Sequence, residues 1–159
     1  MAQKAHSDLG ASSAHRWMAC PGSVRLSATV PATSSSYAKE GTAAHTLAEA
    51  CLRASDDPFL HVGKEIIVDG DKFPVTDEMA DAVQVYIQAV TGDYDEKTDV
   101  LAVERRFNLG QFYPGMFGTC DAVIYKPATK RMVVYDFKYG KGYGVEVENN
   151  PQLKYYGLG

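Results

Sequence analysis

The sequence predicts an α/β domain: helices first, then three consecutive strands in a meander, then the opening of another helix. Three observations carry that expectation. Apolar residues recur at helical spacing in AAHTLAEACLRA and again at Met79, Val83, Ile87 and Val90. After GDYDEKTD the chain turns β-rich, as VLAVERRFNL, GTCDAVIYK and RMVVYDFKYG, separated by the turn-forming stretches QFYPGMF and KPATK. KPATK is too short for a crossover, so the last two strands are expected to pair antiparallel.

Taken in order, residues 1–14 read as flexible. Ser13 to Ala19 reads as a short helix stopped by Pro21-Gly22, and VPATSSS as a loop. A helix is expected from about Tyr37 to Ala54, with Gly41-Thr42 as a break or a later start. HVGKEIIVDGDKFPV (61–75) reads as a hairpin turning at Asp69-Gly70. Thr76 has the character of an N-cap, with Asp77 and Glu78 in the first turn of a helix over 77–91. After the three strands, Asn150 can cap and Pro151 can begin a last helix over 151–159. The whole is expected to be a single domain over 1–159, with a mainly helical part at 15–97 and the sheet and last helix at 98–159.

At 159 residues the chain can bury a real core. Its 45% hydrophobic and 23% charged composition is that of an ordinary globular protein. No apolar run approaches the roughly 20 residues that span a bilayer, and the N-terminus lacks a secretory apolar core. The expectation is therefore no membrane association. Three cysteines, Cys20, Cys51 and Cys120, have no metal-finger spacing and fit reduced thiols in a cytoplasm. A net charge of −4 argues against a generic DNA-coating protein. The imbalance is local, however: residues 1–97 hold 8 Lys/Arg against 14 Asp/Glu, and residues 98–159 hold 8 against 6.

The candidate chemistry lies in that second half. In VVYDFKYGKG an apolar strand runs into Asp136 and Lys138, which share a face at roughly 7 Å between Cα atoms, given about 3.3 Å per residue. Met132 and Val134 lie on the same face, which is expected to pack under a covering layer. A hairpin about KPATK that sets Lys126 against Arg131 carries Asp121 opposite Asp136. Two neighbouring carboxylates repel unless a proton or a cation stands between them, and a hard divalent cation with oxygen ligands removes the repulsion. Plain structural readings fit each piece as well: Asp136–Lys138 as a surface ion pair, and Asp121 as a strand-end residue in a turn network. His45 and Glu49, four apart on one helix face, also fit ordinary packing and solvation. Gln152 and Tyr156 have the same spacing near a helix N-terminus, and Tyr155-Tyr156 fits plain core.

Together, in order, these segments resemble the RecB-like branch of the PD-(D/E)XK nuclease superfamily. That branch has a Gly-x-x-His helix motif, a Gly-h-h-Asp strand, an Asp/Glu-h-Lys strand and a Gln-x-x-x-Tyr helix. The matching stretches are GTAAH with His45, GTCD with Asp121, DFK with Asp136 and Lys138, and QLKYY with Gln152 and Tyr156. SSAHRWMACPGS also looks like the Ser-rich, Cys-Pro segment that precedes the core in phage and recombination nucleases of this type. Two departures are visible: Cys120 stands where the superfamily name has proline, and the Gly41-to-His45 spacing is one residue longer.

The resemblance implies a restriction-endonuclease-like core around a central mixed sheet, whose closing strand is expected past residue 159. It implies a Mg²⁺- or Mn²⁺-dependent nuclease, an exonuclease working on DNA in phage recombination, repair or end-processing. Homo-oligomers or a phage recombination partner belong to the same expectation. His45, Asp121, Asp136 and the carbonyl of Phe137 would bind the metal, with imidazole tilting the preference to Mn²⁺. Lys138 would orient the attacking water or stabilise charge on phosphorus. Gln152 and Tyr156 would position the metal shell or the nucleic acid, and Glu49 could reach the metal through water. Gly140 and Gly142 would admit a phosphate, and Lys141, Lys154, Arg105 and Arg106 are candidate phosphate contacts. Some relatives hold an iron–sulfur cluster through an early Cys-Pro cysteine plus three downstream; Cys20 fits the first position, but the later three would lie beyond residue 159, so a cluster is not supported by this chain. The alternative is a catalytically weak nucleic-acid-binding or structural module that keeps the fold.

Overall fold

A computed structural model describes residues 7–30, 34–140 and 145–159. The architecture is mixed α/β: helices with two small sheets. It divides into two compact units. One comprises 34–103 and 121–143, the other 1–33, 104–120 and 144–159.

The second unit in this list begins with α1 (Ala14–Ala19) and α2 (Gly22–Ala28), preceded by a 3₁₀ turn at Ala11–Ser13. Residues 7–14 are therefore ordered, contrary to expectation: Ala11 and Ala14 are buried, and the Trp17 indole N–H donates to the Gly10 carbonyl at 3.0 Å. The first six residues lie outside the described ones. α1 ends at Ala19, just before Pro21-Gly22 as expected, but Pro21 then supplies the N-cap of a second helix, α2, where its missing N–H costs nothing.

The first unit opens with α3 (Ser36–Ala54), capped by the Ser35 hydroxyl, which accepts from the Ala38 amide. Gly41 does not interrupt this helix. Ala43, Ala44, Leu47, Ala48, Cys51 and Leu52 are buried along it, and that stripe outweighs the roughly 1 kcal/mol cost of one internal glycine. The hairpin β1 (Glu65–Val68) and β2 (Asp71–Pro74) pairs in the expected register, Val68 against Asp71. Asp69 and Gly70 both take positive φ, 49° and 85°, the signature of the two-residue turn whose twist matches the strands. The Lys39 ammonium, paired with Asp71, ties α3 to this hairpin. Thr76 caps α4 (Asp77–Asp93) by accepting from the Met79 amide. Met79, Val83, Tyr86 and Val90 of α4 pack with the α3 stripe.

The second sheet has the order β3 (Val100–Asn108), β4 (Phe117–Lys126), β5 (Arg131–Tyr135). β4 and β5 are antiparallel, with Lys126 against Arg131 and Ala122 against Tyr135, the register expected from KPATK. β5 ends at Tyr135, so Asp136 and Lys138 lie just past the strand. The covered face is not the one expected. In this unit Val133, Tyr135, Phe137 and Tyr139 pack on the core with Ala122 and Ile124, whereas Met132 is exposed. Both faces of RMVVY are apolar, so alternation could not choose between them. In the other unit, α5 (Pro151–Tyr156) is capped by Asn150, which accepts from the amides of Gln152 and Leu153. The helix stops at Tyr156.

Candidate metal and phosphodiester site

Three elements of one unit supply the candidate groups: α3 brings His45, β4 brings Asp121, and the segment leaving β5 brings Asp136, Phe137 and Lys138. The register that sets Ala122 against Tyr135 brings Asp121, midway along β4, next to Asp136, just past the end of β5. Asp121 is held at both oxygens. Its Oδ1 lies 3.2 Å from His45 Nδ1, and its Oδ2 accepts from the Phe137 amide at 2.6 Å. Phe137 is itself fixed, its ring buried against Tyr86 at 4.9 Å and against the His45 imidazole at 5.3 Å. Packing of one aromatic ring thus sets the backbone donor, the carboxylate and the imidazole together.

Asp136 is largely buried, 10% exposed, and its Oδ2 is 2.5 Å from the ammonium of Lys138, which is 49% exposed. Burial pushes the Asp136 carboxyl above the ordinary carboxylate range. Lys138 pulls it back, and the nearby charge of Asp121 pushes it up again. For His45 burial is the largest influence and favours the neutral ring. The hydrogen bond and charge of Asp121, with Asp136 beyond, outweigh it, so the imidazole holds its proton above the usual range. The two shifts have one origin: carboxylates gathered in a poorly solvated place that needs positive charge.

The donor set suits a divalent cation. At His45 and Asp121, both half-buried, ligand atoms lie within 4.8 Å of each other. An imidazole with carboxylate oxygens is the chemistry of Mn²⁺, Mg²⁺ or Zn²⁺ rather than of a soft metal. Inside β3 one feature gives no sign in the sequence: Glu104 takes a φ of 50°, a left-handed residue within a strand.

The remaining candidates fall elsewhere. Gln152 and Tyr156 meet each other: the Gln152 amide donates to the Tyr156 oxygen at 3.3 Å, and the Tyr156 hydroxyl donates to the Thr119 carbonyl at 2.7 Å. Tyr156 is buried and braces β4 two residues before Asp121. Glu49 is paired with Arg53, whose other nitrogen donates to the Val103 carbonyl. Lys154 donates to the Asn149 side chain at 2.8 Å. Arg105 and Arg106 are exposed on β3, and the Arg106 guanidinium lies 3.5 Å over the Phe117 ring. Gly140 takes φ 112°, a conformation that L side chains rarely adopt. Lys141 and Gly142 lie outside the described residues. Cys51 and Cys120 are buried and Cys20 is exposed, all as free thiols. Among the described residues no helix is long and apolar enough to cross a membrane.

Residues 6–159 match a family described as "Protein of unknown function (DUF2800)". The chain belongs to the DUF2800 family. No solved structure matches it. For this DUF2800 member, then, the functional reading comes from the site's own geometry and from the sequence motifs.

Proposed function

We propose that this chain is a divalent-metal-dependent nuclease that hydrolyses DNA phosphodiester bonds, organised like the RecB branch of the PD-(D/E)XK superfamily. The reading extends to a restriction-endonuclease-like core and to exonucleolytic work at DNA ends. The observation that carries it is the convergence of His45, Asp121 and the Asp136–Lys138 pair from a helix, the middle of β4 and the segment just past β5, with Asp136 kept above its ordinary range by burial.

His45, Asp121 and Asp136, with the Phe137 carbonyl, would hold Mg²⁺ or Mn²⁺. A cation bound there supplies Lewis acidity toward the phosphate and makes a water more acidic. The chain's own residues do the rest. The Phe137 amide fixes the orientation of Asp121, so the carboxylate need not reorganise on loading. His45 must release its proton to serve as a ligand. Lys138, relieved of Asp136, has an exposed ammonium free to stabilise charge developing on phosphorus. Tyr156, with Gln152, braces the strand that carries Asp121. Lys141, Lys154, Arg105 and Arg106 remain the candidate phosphate contacts.

The test is digestion of end-labelled linear and closed circular DNA with Mn²⁺, Mg²⁺ or EDTA, with Asp136→Ala and Lys138→Ala alongside. Metal-dependent loss of the linear substrate alone is expected, reduced about a hundredfold or more in each variant. A folded protein that cuts neither substrate with any metal and gains no thermal stability from Mn²⁺ would overturn the reading. That outcome would leave the binding or structural module.

A further inference from the structure

The loop joining β3 to β4, residues 109–116, is built as a rigid arm with an aromatic tip. Its base is buried: Leu109 and Met116 are core residues, and the Leu109 amide donates to the Met116 carbonyl at 3.0 Å. Inside, the Phe112 amide donates to Leu109 and the Met116 amide to Tyr113, at 2.9 Å each. From outside, the Ser7 hydroxyl donates to the Gly115 carbonyl at 3.0 Å. At the tip, two successive rings face solvent, Phe112 57% and Tyr113 55% exposed. Ordered backbone that holds large apolar rings in water forgoes the burial that would normally stabilise them.

The charge around the arm selects the occupant. Residues 105–120 contain Arg105 and Arg106 and no carboxylate, in a chain whose net charge is −4. Arg106 stacks on Phe117, the first residue after the arm, so a guanidinium lies at its root. Rings for nucleobase faces beside arginines for phosphates are the two parts of a single-strand binding platform. Duplex DNA offers no free base faces to such rings, whereas a frayed or single-stranded end does.

We propose that the Phe112–Tyr113 arm stacks the unpaired bases of a single-stranded DNA segment, with Arg106, at the arm's root, on its phosphates. This rests on the nuclease reading and deepens it, because it names the form of substrate that the chain grips. The experiment measures anisotropy of a labelled oligo-dT strand and of a blunt duplex, in EDTA so that nothing is cut. The proteins are the wild type, Phe112→Ala/Tyr113→Ala, and the conservative Phe112→Tyr/Tyr113→Phe. A stacked base is worth about 1–3 kcal/mol, so the double alanine variant should bind oligo-dT at least about tenfold more weakly. The duplex should be little affected, the conservative variant should bind as the wild type does, and the melting temperature should be unchanged because both rings are exposed. Equal binding of oligo-dT by the alanine variant overturns the proposal, as does no binding by the wild type. If metal-dependent cleavage persists in either case, only the arm's role falls. If cleavage is also absent, the nuclease reading falls with it.

Discussion

Gly118, near the start of β4, is where a single methyl group should do the most damage. A Cβ built there would sit 2.8 Å from Cε1 of Tyr155, 3.2 Å from Cε1 of Tyr156 and 3.4 Å from Cβ of Ala11. None of the three can retreat cheaply, since all are buried. Both tyrosines are also pinned at their far ends, Tyr155 to the Leu9 carbonyl at 2.9 Å and Tyr156 to the Thr119 carbonyl at 2.7 Å. Moving a ring by the few tenths of an ångström that a methyl needs strains a packed contact, typically about 1–3 kcal/mol. It also puts at risk two hydrogen bonds worth about 1 kcal/mol each. Gly118→Ala should therefore destabilise by about 2–3 kcal/mol. At this chain length that lowers Tm by about 2–4 °C per kcal/mol. Urea titration reads the loss, with Gly92→Ala as control: Gly92 lies in α4 with nothing near its missing Cβ, so alanine there should be neutral or stabilising. Tyr155→Leu removes the closest ring atom. Combined with Gly118→Ala it should recover part of the loss, as a coupling of about 0.5–3 kcal/mol. A Gly118→Ala protein within about 0.5 kcal/mol of wild type, the range of an ordinary surface change, would refute the packing described for α5 against β4.

Other expectations follow from the first unit. Gly41→Ala should stabilise by about 0.5–1 kcal/mol in urea titration, because the nearest atom to the added Cβ is the Tyr139 carbonyl at an ordinary 3.9 Å. In EDTA, the stability that His45 adds should be complete below its unfolded value near 6.5 and fade as pH rises through its raised folded value. Thermal melts of wild type and His45→Gln across that range would show the difference closing. With Mn²⁺ the sign reverses, because the cation competes with the proton: the stabilisation conferred by a fixed Mn²⁺ concentration should grow as pH rises, and should be lost in Asp121→Ala. Asp99 is held below the usual carboxylate range by its hydrogen bond with Lys126, so its contribution is present above the unfolded value and lost in acid. Asp99→Asn should accordingly flatten the acid limb of the melting curve.

Much of the local structure was legible because particular residues allow few alternatives. Asp69-Gly70 permits the tight turn that sets the β1–β2 register, Thr76 with Asp77 and Glu78 starts a helix, and KPATK aligns β4 with β5 so that Asp121 meets Asp136. What was hidden lacked a periodic signal. α2 buries no residue, so GSVRLSA shows no apolar stripe to read. The covered face of β5 was ambiguous because apolar residues occupy both faces. Glu104 was missed because a left-handed residue inside a strand is imposed by the surrounding fold and not by its own side chain. The pairing of Glu49 with Arg53 could be expected from their spacing, but the anchoring of that arginine on the Val103 carbonyl is a long-range contact that spacing does not reveal.

The hydrogen bond from Tyr155 to Leu9 joins residues 146 positions apart. During synthesis Leu9 and α1 are made well before Tyr155 and Tyr156 are translated. At about 5–20 residues per second the early segments that pack on α5 must wait several seconds for their partner. Closure of so long a loop is entropically costly and is repaid only when both tyrosines arrive. The helices near the N-terminus are thus the first made and the last secured. Pulse-labelled amides of α3 and α4 should accordingly gain protection ahead of those in α1.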